Sequence, residues 1–130
     1  MKKFILNIVV FLFLFNCSSP EHSEVKMVSP EEMNELLEME EVQLIDVRTP
    51  EEYETGFIAH SQNIDFHSPT FEKDIEKLDK SKPVILYCKS GGRSSKCSEK
   101  LKEAGFKLVY ELEGGITQWQ HENYVIKTYN

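Results

Sequence analysis

Cys88 is followed by Lys89, Ser90, Gly91, Gly92 and Arg93, and this short run is the part of the sequence best equipped for chemistry. A thiol attacks only as its thiolate. With an ordinary pKa of about 8.5, a few per cent ionises at neutral pH, and each unit of depression corresponds to about 1.4 kcal/mol. Lys89, Arg93 and Lys96 are positive and no acidic residue lies between Val84 and Ser98, so the run opposes the charge of the chain around it. A buried structural cysteine followed by a turn is the alternative for any lone Cys; the glycines and cations here favour a reactive thiolate. No general base stands beside Cys88, and none is required if the thiolate is preformed.

The elements that must hold this run can be read on either side of it. Val84 to Tyr87 are apolar or aromatic strand formers, which predicts an interior strand covered on both faces. The helical pattern of Ser94 to Ala104 begins directly after Arg93. Strand, glycine loop and helix in that order form a cup with inward-pointing N–H groups, an arrangement that binds anions.

Upstream, Val25–Val28 and Val42–Val47 read as strands, and Leu108–Leu112 as a last core strand. Ser29-Pro30-Glu31-Glu32 and Thr49-Pro50-Glu51-Glu52 are both helix starts with capping-box logic. Ser68 and Pro69 open a further helix holding Phe71, Ile75 and Leu78, while Gly105 suits a helix C-cap. Strands alternate with helices and each strand is taken as apolar on both faces, which predicts an α/β domain with a parallel sheet between helix layers.

Other chemistry-bearing residues have weaker claims. Asp46 and Arg48, at a strand's carboxyl end, either brace the Cys88 loop or form a solvated ion pair with helix residues such as Glu52. His60 is either a pocket acid or a surface histidine. Cys97, Leu101 and Ala104 share one helical face, so Cys97 fills core volume; a disulfide to Cys88 or a resolving role is the alternative. There is no CxxC pair and no His and Cys cluster at metal spacing, so neither a metal nor another cofactor is expected.

Taken together, Cys88 to Arg93 resembles the six-residue active loop of rhodanese-like sulfurtransferase domains. Asp46 to Asp65, DVRTPEEYETGFIAHSQNID, is similar to a second stretch of that family through Asp46, Arg48, Glu52, Tyr53, Gly56, Ile58, Asn63 and Ile64. Phe57, His60 and Ser61 depart from its usual His, Gly and Ala. Gly114, Gly115, Ile116 and Trp119 resemble its closing segment, with the glycines turning the chain under the pocket and Trp119 in the core.

The resemblance implies a three-layer domain around a mostly parallel sheet of about five strands. It implies that Cys88 takes a sulfane sulfur from a small anionic donor such as thiosulfate, holds it as a persulfide, and passes it to a thiol, cyanide or protein acceptor. Lys89, Ser90, Gly91, Gly92, Arg93 and Ser94 would bind the donor and stabilise the persulfide. Two alternatives stand beside this. One is a sulfur carrier or binding module without turnover of its own; the other is a phosphatase or arsenate reductase, which resembles C-x5-R where this chain offers C-x4-R.

The chain opens with Lys2 and Lys3 and an apolar run from Phe4 to Phe15 broken by Asn7. Those 12 residues are too few for a spanning helix, which needs about 20, and suit a signal-peptide core. Cys17, with Leu14 three residues before it, resembles a bacterial lipoprotein signal. The expected organisation is a leader over 1–16, lipidation at Cys17, a tether over 17–24 and one domain over 25–130. The domain is then exported and held at the cell envelope by its lipid, facing the periplasm or the outside. Ordinary secretory cleavage or an uncleaved anchor are the alternatives. The formal net charge of −7 argues against nucleic acid as a partner.

Overall fold

The computed structural model describes residues 22–39 and 41–129. The leader, Cys17 and the first part of the tether lie outside the described residues. Among the described residues, no helix is long and apolar enough to cross a membrane.

Five strands, β1 (Glu24–Val28), β2 (Gln43–Asp46), β3 (Gln62–Asn63), β4 (Val84–Tyr87) and β5 (Leu108–Leu112), form one sheet in the order β1-β5-β4-β2-β3. Every strand pair is parallel. Five helices alternate with them: α1 (Pro30–Met39), α2 (Pro50–Glu54), α3 (Phe71–Ile75), α4 (Gly92–Glu103) and α5 (Gly115–His121).

β4 is central, with Ile45 paired to Leu86 on one side and Leu86 to Glu111 on the other. All four of its residues are buried because helices cover both faces. Side chains alternate along a strand. Val84 and Leu86 therefore join the cluster with Phe71, Ile75, Cys97 and Leu101 under α3 and α4. Ile85 and Tyr87 join Met33, Ile116 and Trp119 under α1 and α5. These two clusters make the fold three-layered, as expected from the α/β pattern.

The starts of α1 and α2 follow the sequence signals, whereas α3 begins only at Phe71, after Thr70, and not at the expected Ser68 and Pro69. At α1 the Ser29 N–H donates to the Glu32 carboxylate at 2.8 Å and the Glu32 N–H donates to Ser29 Oγ at 3.2 Å. At α2 Thr49 and Glu52 form the same reciprocal box with Pro50 in the first turn. Each satisfies backbone donors that a helix end leaves unpaired.

Three other expectations need correction. β1 is not apolar on both faces: it is an edge strand, its Glu24, Lys26 and Met27 are exposed, and Val28 alone is buried. Pairing with β5 supplies its ladder without a second covered face. α3 ends at Ile75, so Leu78 reaches the core from the turn beyond it, where its N–H donates to Ile75 O at 3.1 Å. α4 begins at Gly92, two residues before Ser94, because Gly91 takes the left-handed cap conformation at φ 116°.

Candidate active site

Cys88 is the first residue beyond β4 and is only 1 % exposed. The loop curls over its sulfur: the Gly91 N–H donates to Sγ at 3.1 Å, and Ser94 Oγ lies 3.6 Å from Sγ. Gly91 needs its positive φ to turn its N–H inward, a conformation costly for other residues. The Ser94 hydroxyl also reaches Gly91 O at 3.1 Å, so one rotation of its O–H moves the proton from the carbonyl to a sulfur anion.

Burial pushes the Cys88 thiol up, but the Ser94 N–H and hydroxyl with the Gly91 and Ser90 N–H groups outweigh it, and the net pKa is lowered. Hydrogen bonding to the charged form is therefore what favours the thiolate. The sequence suggested both these N–H groups and the nearby cations, and the cations are the part that fails. Lys89 and Lys96 are exposed, and Arg93 turns to Glu52.

That contact is bidentate, with Arg93 Nη1 at 2.5 Å and Nη2 at 2.8 Å from the two Glu52 carboxylate oxygens. Glu52 is already fixed by its helix, since its Oε2 accepts from the Thr49 N–H at 3.0 Å and the Thr49 hydroxyl at 3.2 Å. Arg93 beside it, more than Thr49, holds its carboxyl at about 2. The start of α4 is thus tied to the start of α2.

The loop is held from below by α5. Cys88 O accepts the Ile116 N–H at 2.9 Å and Lys89 O accepts the Thr117 N–H at 3.1 Å. Gly115 permits this approach: a Cβ there would stand 2.5 Å from both carbonyl oxygens. The turn of Gly114 and Gly115 under the pocket was legible in the sequence.

Asp46 and Arg48 fit neither expectation. They pair with each other, Arg48 Nη2 to Asp46 Oδ2 at 2.6 Å, with side chains 5 % and 0 % exposed. Arg48 Nη2 also donates to Gly56 O at 2.7 Å, and Asn63 Nδ2 donates to both backbone carbonyls, Asp46 O and Arg48 O. Arg48 thus holds the chain leaving α2, while Asn63 ties β3 to the backbone at Asp46 and Arg48. The pair meets Tyr87, the residue before Cys88, through the Arg48 guanidinium lying 5.8 Å from the ring centroid. The two residues make a short buried ion pair because two residues of extended chain bring both side chains back to one side.

His60 is exposed and sits in a turn at φ 67°. It lines a cavity of about 500 Å³ with Leu37, Ile58, Trp119 and Tyr124, and no loop residue borders that space. Cys97 is buried, its thiol pushed up to about 12 by burial, and both described cysteines are free. Among the described residues no group of three or more His, Cys, Asp or Glu could hold a metal ion.

Sequence reasoning missed Glu52 as the partner of Arg93 and missed the carbonyl contacts of Ile116 and Thr117. Glu52 was read as a capping residue, as a possible partner of Arg48 and as part of the family stretch, and nothing in the sequence couples it to a position 41 residues away. The α5 contacts are made by backbone groups, which carry no side-chain signal.

A five-stranded parallel sheet with a cysteine cup at the end of its central strand defines the class. The family model for the rhodanese-like domain matches residues 29–122, and the chain belongs to that family. Thiosulfate sulfurtransferase GlpE of Coxiella burnetii is 36 % identical over 95 residues, covering 73 % of this chain and 87 % of the relative. A tRNA uridine(34) hydroxylase of Pelagibacter ubique is 34 % identical over 102 residues, which is 78 % of this chain but only 34 % of that longer protein. The crystal structure of a rhodanese-related protein from Thermoplasma volcanium superposes with a TM-score of 0.72 at 27 % identity, covering 80 % of this chain and 99 % of that one.

Proposed function

We propose that the protein is a sulfurtransferase in which Cys88 is the nucleophile. The observation that carries this reading is the convergence of loop N–H groups on Cys88 Sγ, with Gly91 N at 3.1 Å and the thiol pKa lowered. In the first half-reaction the Cys88 thiolate attacks the outer sulfur of thiosulfate. A new S–S bond forms, the S–S bond of the donor breaks, and sulfite leaves with the electron pair. The persulfide anion then occupies the cup, where the N–H groups of Ser90, Gly91 and Ser94 stabilise it.

In the second half-reaction cyanide or a thiolate attacks the outer sulfur of the persulfide. Thiocyanate or a new persulfide departs and the Cys88 thiolate is restored. No proton transfer is needed in either half, which suits a site with no base beside the sulfur. The C-x4-R spacing supports sulfur over phosphoryl transfer, since one residue fewer than C-x5-R closes the loop around a single atom. The similarity to proteins named as sulfurtransferases supports the same class.

The test is thiocyanate formation from thiosulfate and cyanide by the full chain, with a Cys88→Ser variant beside it. Turnover lost in the variant supports the reading. Equal turnover by the variant removes Cys88 from the mechanism, and absence of turnover by either protein while Cys88 still becomes persulfidated turns the reading to a carrier. The leader and Cys17 support export and lipid anchoring as a further part of this proposal; fatty-acid labelling that survives Cys17→Ser would refute it.

A further inference from the structure

We propose that Glu52 sets the charge preference of the cup, so that the sulfur donor best served carries one negative charge rather than two. The inference rests on the sulfur-transfer reading for the identity of the donor, but its electrostatic core does not.

Both terminal nitrogens of Arg93 are committed to the Glu52 carboxylate at 2.5 and 2.8 Å. The carboxylate is itself clamped by the Thr49 N–H and hydroxyl, so it is fixed at the start of α2 and holds the guanidinium there. The two side chains are only 24 % and 33 % exposed. A bidentate pair of this kind contributes almost no net charge to its surroundings. The remaining positive charges by the loop, Lys89 and Lys96, are on exposed residues and screened by water and salt.

The N–H groups of the loop converge on one sulfur, Cys88 Sγ, with Gly91 N at 3.1 Å, and they are taken up whenever Cys88 is a thiolate. A dianion approaching that thiolate meets twice the repulsion a monoanion meets, with no free arginine to offset it. Glu52 is thus a positioning and specificity residue acting through Arg93.

Thiosulfate and methanethiosulfonate isolate the charge. In each the Cys88 thiolate attacks the outer sulfur, the donor S–S bond breaks, and sulfite or methanesulfinate leaves with the electron pair. The two donors differ by one unit of charge. Glu52→Gln removes the carboxylate charge and keeps the capping box, since Gln serves at that position as Glu does. The expected result is a KM for thiosulfate lowered about two- to fivefold, the scale of one partly screened charge, with a smaller change for methanethiosulfonate. A rise in KM for both donors in parallel would mean that Glu52 merely supports the fold, and would overturn the inference.

A second readout needs no sulfur transfer. Iodoacetate and iodoacetamide are alike in size, so the limited access to a residue 1 % exposed cancels in the ratio of their alkylation rates at Cys88, followed by peptide mapping of the full chain. The ratio should rise about two- to fivefold in Glu52→Gln and fall in Arg93→Ala, where the carboxylate is left unneutralised. The double variant should return close to the wild-type ratio, a pattern that loss of packing does not produce. An unchanged ratio in either single variant overturns the proposal. A ratio that moves as stated without any sulfur transfer would refute the sulfurtransferase reading and leave the charge-setting role of Glu52 standing.

Discussion

Gly115→Ala should damage the Cys88 loop more than a change within the loop's own glycine pair. At φ 60° Gly115 is in the left-handed region, where an alanine costs about 1–2 kcal/mol. Its Cβ would also stand 2.5 Å from Cys88 O and Lys89 O, whereas ordinary contact begins at 3.4 Å. The two carbonyls must retreat by roughly 0.9 Å, the difference of those distances. They accept from Ile116 N at 2.9 Å and Thr117 N at 3.1 Å, so the retreat takes both bonds beyond the range of a hydrogen bond. At about 1 kcal/mol each, their loss brings the total to about 3–4 kcal/mol. For a domain of this size that lowers Tm by roughly 10–20 °C. A displacement near 1 Å at the nucleophile reduces turnover by about a hundredfold. Gly92→Ala is the internal control: nothing lies within 4 Å of a Cβ there, so its Tm should match the wild type. Thermal unfolding by circular dichroism and thiocyanate formation measure both. A Gly115→Ala protein with wild-type Tm and turnover would refute the account of how α5 holds the loop.

Two further outcomes follow from the hydrogen-bond network. Ser94→Ala removes the hydroxyl beside Sγ, and the inflection of the Cys88 alkylation rate should move up by about one pH unit. The folded-state thiol pKa is lowered, so its stabilising contribution is full above the unfolded thiol value and disappears as pH falls through the folded one; Ser94→Ala should narrow that window. Asp46→Asn leaves the Arg48 guanidinium buried without its carboxylate, and the urea midpoint should fall by an amount equivalent to about 3–5 kcal/mol. A loss below 1 kcal/mol, the scale of an exposed pair, would show that the Arg48 charge reaches water.

What was legible in the sequence is what local chemistry encodes. Val84 to Tyr87 read as a buried strand because a strand covered on both faces needs an unbroken apolar run. Ser29 and Thr49 marked helix starts because capping joins residues three apart. The Cys88 cup was visible because a strand, glycines and a helix follow one another without interruption. The misreadings arise where the decisive partner is distant or is backbone. The inward-pointing N–H groups of the cup were expected and do hold the sulfur, but the positive residues around Cys88 suggested a second, charge-based stabilisation that fails because Arg93 is held by a distant residue, Glu52. Asp46 and Arg48 were read as braces of the Cys88 loop or as a solvated pair with residues such as Glu52, because a composition rule places charges in water, whereas here each buries the other. β1, read from Val25–Val28 as a strand, was taken with the others as apolar on both faces, but edge position is a property of the whole sheet.

The most direct test of the central claim is the mass of the Cys88 peptide after the full chain is treated with thiosulfate or methanethiosulfonate and freed of excess donor. The account predicts a gain of one sulfur on Cys88, removed by cyanide, with Cys97 unmodified because its buried thiol stays protonated. Sulfur found on Cys97 and not on Cys88, or none on a Cys88 shown to be a free thiol, would contradict it.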